Sequence, residues 1–66
     1  MEIRVVSNRR TRAVQVNKGA SARAMLSRLG LNGETVIIKL NGKVAHPDEI
    51  LSAGDLIEFV GIIYGG

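Results

Sequence analysis

The chain has 66 residues, with 9 Lys and Arg against 6 Asp and Glu, one His and no Cys. A net charge of +3 and a hydrophobic content of 45% describe one small globular domain, too apolar for intrinsic disorder and without a run long enough to span a bilayer. Disulfides, thiolate or multi-histidine metal sites and cysteine nucleophiles are excluded; a full enzyme active site is not expected at this size, and the cytoplasm is the default compartment because no secretory address is visible.

Ile3 and Val5 alternate with charged neighbours, the period-2 signature of a half-buried strand over residues 2–6. The polar stretch 7–12 (SNRRTR) reads as a hairpin loop, and residues 13–17 alternate again with Val14 and Val16 on one face. Ser21 is a suitable helix N-cap, residues 22–29 are helix formers, and Met25, Leu26 and Leu29 share a face. Arg28 falls where a cation opposes the macrodipole, and Gly30 suits the left-handed position that ends a helix, with Leu31 to cover it. Asn32-Gly33 marks a turn. Residues 35–40 form the strongest strand, with Val36, Ile38 and Leu40 on one face and Ile37 and Lys39 on the other. Asn41-Gly42 is a two-residue hairpin signal and residues 43–45 a short return strand. His46-Pro47-Asp48 breaks that strand, 49–51 reads as irregular, and 53–55 as a turn. The last strand covers 56–60, with Ile57 and Phe59 inward.

The order β-β-α-β-β-β predicts a two-layer α+β domain, because a helix this short is stable only when its apolar face lies on the sheet. The domain occupies residues 1–60 and a tail residues 61–66.

The tail reads Gly61-Ile62-Ile63-Tyr64-Gly65-Gly66. A frayed end is usually polar, whereas Ile62, Ile63 and Tyr64 call for a cover: the domain's own surface, or a partner that clamps the segment as an added strand. Gly65 and Gly66 have no Cβ atoms and make a thin thread able to enter a channel that side chains would block. The thread presents an unhindered carboxylate, inert until a better leaving group is attached. Activation by ATP to an acyl-adenylate opens it to a sulfur or amine nucleophile. The chain has no machinery for that step, so a partner must supply it. Without a thiol, any sulfur it carries must sit on that carboxylate.

The hydrophobic order, the Asn41-Gly42-Lys43 hairpin, the Gly54-Asp55 turn and the ending GDLIEFVGIIYGG resemble the β-grasp sulfur carriers and ubiquitin-like modifiers. This group includes the thiamine-pathway carrier ThiS, the molybdopterin-synthase small subunit MoaD and archaeal small modifier proteins. The resemblance covers residues 2–66 and implies a β-grasp fold: a mixed sheet of four to five strands crossed on one face by the helix. It implies a non-catalytic co-substrate that binds no cofactor itself. Gly66, with Gly65 as its neighbour, would be adenylated by a ubiquitin-activating-type enzyme that uses ATP. The product is either a thiocarboxylate, for sulfur delivery to tRNA thiolation, thiamine or molybdopterin synthesis, or an isopeptide with protein lysines. Ile62, Ile63 and Tyr64 would lie in the activating enzyme's groove. The lean is towards the tRNA-thiolation or modifier branch, with thiamine-type delivery close behind.

Other residues carry weaker signals. Val60 and Ile37 are expected to face outward, either as scattered surface apolar residues or as a partner patch continuous with the tail. Arg9, Arg10 and Arg12 cluster at the first hairpin loop, as a solvated turn or as a contact for an acidic partner face. A small basic β-grasp RNA-binding module that uses this loop is the alternative function, although no aromatic stands nearby for base stacking. A permanent synthase subunit is a third. Lys18, Lys39 and Lys43 are formal isopeptide acceptors; His46 is assigned no chemistry, and Asp55 is expected to hold its own turn. The free chain is expected to be monomeric, with no membrane partner and with nucleic acid disfavoured.

Overall fold

The computed structural model describes residues 1–7 and 9–61. It contains β1 (Glu2–Ser7), β2 (Arg10–Gln15), α1 (Ala22–Leu29), β3 (Val36–Leu40), β4 (Lys43–Val44) and β5 (Leu56–Gly61), which is the expected order. The five strands form one mixed sheet in the order β2-β1-β5-β3-β4. β1 and β5 are parallel, and the other pairs are antiparallel.

Alternation decides which face each side chain takes. Ile3, Val5, Ile38, Ile57 and Phe59 point to one side and are buried. Met25, Leu26 and Ala22 of α1 cover them, with Leu29, Val36 and Leu40 packed at the margin. Leu51 also enters this core although it lies in the irregular segment. Its amide donates to Ala20 O at 2.8 Å, and Ile50 beside it bridges to Ser21. Two backbone contacts thus anchor a loop whose sequence shows no period.

Both ends of α1 are satisfied. The Ser21 side chain accepts from the Ala24 amide at 3.2 Å, while the Ala22 and Arg23 amides donate to Glu49 O and Pro47 O. At the other end Gly30 is left-handed at φ 70, and the Leu31 amide returns to Leu26 O at 2.9 Å. Arg28 donates to Gln15 O at 2.7 Å, which ties the helix end to β2.

The polar stretch after β1 corrects the sequence reading. Only positions 8 and 9 separate the strands; Arg10 pairs with Ser7 and Arg12 with Val5, so both lie in β2 and not in a loop. Arg9 takes φ 63, the left-handed geometry that matches strand twist in two-residue hairpins. β2 is an edge strand, where charged side chains discourage pairing with other chains, so the ladder tolerates a sequence with no apolar period.

Candidate functional site

The candidate site lies at the C-terminal end of β5. β5 runs one residue beyond the expected strand end, to Gly61, which pairs with Val36. Gly65, Gly66, Ile62, Ile63 and Tyr64 lie outside the described residues, and so does any contact they make.

Around the root of the tail the sheet forms a cleft of about 360 Å³ lined by Val6, Arg9, Glu58, Phe59, Val60 and Gly61. The parallel pairing of β1 with β5, Val6 opposite Glu58, makes this assembly. It places the β1–β2 turn at the same end of the sheet as Gly61. Arg9 therefore stands at the tail root, Arg10 comes next at the hairpin tip opposite Ser7, and Arg12 is two residues further back along β2. Arg9 thus sits in the turn, while Arg10 and Arg12 belong to β2 and not to the loop.

The sheet face turned away from α1 carries the expected patch. Ile37 and Val60 are direct cross-strand partners, with Ile37 39% exposed and Val60 half-buried. Two residues along, Lys39 pairs with Glu58 on one side and Val44 on the other. Val44 is 74% exposed on β4, at the sheet edge. The sequence reading left Val44 without a face; its signal was the Asn41-Gly42 turn, whose register sets Val44 opposite Lys39.

The opposite end of the sheet is braced by side chains. Asn41 Nδ2 donates to Asp55 Oδ1 at 3.0 Å, and Asp55 Oδ2 accepts from the Ser52 amide at 2.7 Å. Asn41 Oδ1 accepts from the Leu56 amide at 2.9 Å. Asp55 thus holds its turn, as expected, and also fixes where β5 begins. Arg23 and Asp48 form an exposed ion pair at 3.0 Å. His46 Nδ1 accepts from the Asp48 amide at 3.0 Å, a local turn contact. A second cleft, of about 660 Å³, lies at this end, lined by Met1, Lys18, Gly19, Ile50, Leu51, Ser52 and Ala53. Among the described residues no group of three or more His, Cys, Asp or Glu is placed to hold a metal, and no helix is long and apolar enough to cross a membrane.

Comparison with known proteins bears on the whole chain. The model of the ThiS family matches residues 2–66. The fold is similar to that of thiamine biosynthesis protein (ThiS) from Geobacter metallireducens, at 28% identity, with 100% of each chain covered and a TM-score of 0.73. It is also similar to SAMP1 from Haloferax volcanii, at 21% identity, with 98% of this chain and 97% of that chain covered and a TM-score of 0.72. At that lower identity the second likeness speaks to the fold alone.

Proposed function

The chain belongs to the ThiS family, and has the β-grasp fold of sulfur carriers and ubiquitin-like proteins; on that premise we propose that it is a co-substrate whose Gly66 carboxylate is activated by a partner. The observation that carries the reading is the extent of the family match, which takes in Gly65 and Gly66 together with the domain. The partner is an ATP-using, ubiquitin-activating-type adenylating enzyme. It joins the Gly66 carboxylate to AMP and releases pyrophosphate. Hydrosulfide then attacks the acyl carbon, AMP leaves, and a thiocarboxylate remains. A partner that draws on ATP favours the cytoplasm as the compartment of the reaction.

The geometry supports this role. β5 is the central strand, and Gly61 at its end is still paired with Val36, so the tail root is anchored in the sheet. Ile62, Ile63 and Tyr64 would fill the partner's groove, while the Ile37–Val60 pair on the open face seats against it. The full-length likeness to a thiamine biosynthesis protein favours sulfur delivery in thiamine synthesis over isopeptide formation, tRNA thiolation or molybdopterin synthesis.

Intact-mass analysis after incubation with the adenylating enzyme, ATP and a sulfide donor is expected to show one oxygen exchanged for sulfur. An unchanged carboxyl end would overturn the reading, and a mass increase on target lysines would redirect it to the modifier branch. Deleting Gly65 and Gly66 is expected to abolish the exchange while leaving the thermal melt unaltered.

A further inference from the structure

We infer that Arg9 and Arg10 form a basic lip beside the tail root that meets an acidic rim around the adenylating partner's channel, and that Arg12 stands outside it. This rests on the functional reading above and names the partner surface that the tail root meets. Arg9 lines the same cleft as Val60 and Gly61, and Arg10 is its neighbour at the hairpin tip. Both are exposed. Neither enters an ion pair or side-chain hydrogen bond among the described residues. The acidic residue of the cleft, Glu58, faces Lys39 across the β5–β3 pair, so the mouth keeps a positive surplus.

Chain length decides what the arginines touch. In a threaded tail, which is extended, the five residues 62–66 carry Gly66 about 17 Å from the root. A nucleotide joined to Gly66 at the far end of a threaded tail is then beyond the reach of a side chain at the root. The guanidinium groups meet the protein around the channel mouth and not the adenylate phosphates. Carboxylates are the matching chemistry, since Arg pairs with them in a bidentate fork. An RNA surface fits less well. Among the described residues the aromatic is Phe59, which is buried on the helix side, so the described surface offers no aromatic platform for a base.

The test is ATP–pyrophosphate exchange by the adenylating enzyme of the source cell, run with Arg9→Glu, Arg10→Glu and Arg12→Glu carriers over a range of salt. The first two are expected to raise the carrier KM by about tenfold each with kcat unchanged, and to flatten its rise with salt. Arg12→Glu is expected to stay within about twofold, and circular dichroism with thermal melts checks that all three fold. Arg9→Ala and Arg10→Ala, which introduce no new charge, are expected to give smaller shifts in the same direction. Wild-type exchange with unaltered KM in the Arg9 and Arg10 variants overturns the lip and leaves the carrier reading standing. Absence of exchange with the wild type overturns both. Loss of tRNA binding in those variants, with KM unaltered, assigns the lip to RNA instead.

Discussion

Single residues in this domain fall into three groups by what surrounds them. Ile57 is fully buried in the core, and truncating it leaves a cavity among the ten described buried residues that make up that core. Ile57→Ala is expected to cost about 2–5 kcal/mol in urea denaturation, enough to leave much of the population unfolded. Asn41 combines a left-handed backbone at φ 52 with two side-chain bonds to the start of β5. Asn41→Ala is expected to lose about 1–2 kcal/mol, with Asn41→Gly recovering the backbone share. Asp48 is exposed, and the hydrogen bond from Arg23, then its charge, hold the carboxyl below the usual 3.8. A carboxyl with a lowered folded pKa stabilises the fold above its unfolded value, and loses that effect as pH falls through the folded one. Solvent screens this pair. A melt of Asp48→Asn against the native chain is therefore expected to show a small deficit at neutral pH that vanishes in acid.

The elements were legible where a local rule sets them. Ser21, Gly30 and the Met25, Leu26, Leu29 stripe define α1 without reference to the sheet, and the observed helix has the expected bounds. Gly30→Ala is expected to cost about 1 kcal/mol or somewhat more, read from the melt, because the αL cap strains a Cβ. The Asn41-Gly42 turn likewise fixes the β3–β4 register on its own. β2 was legible only in part. Arg10, Thr11 and Arg12 have no apolar alternation, and their strand state comes from pairing with β1 beyond the main cover of α1. Leu51 shows the same limit from the other side: a buried side chain in a segment with no period, held by backbone contacts to residues 20 and 21.

At the scale of the molecule, β5 is the strand on which everything else is aligned, with β1 on one side and β3 on the other. A chain cut after residue 55 is expected to be unfolded by circular dichroism, whereas one cut after residue 61 keeps the native spectrum. The first cut removes the central strand; the second takes only residues 62–66. Period and turn chemistry, both local, determined α1, the order of the elements, the inward faces of β1, β3 and β5 and the outward place of Ile37 and Val60. The terminal residues and the overall hydrophobic order also pointed to the family by themselves. That β5 lies between β1 and β3 was left to the tertiary structure. A parallel pair separated by about fifty residues carries no local signal, because it forms only when α1 and the intervening hairpin pack the chain back onto β1. That pairing brought Arg9 to the root of the tail, left Arg12 behind, and turned a charged stretch into a lip with a place and a direction.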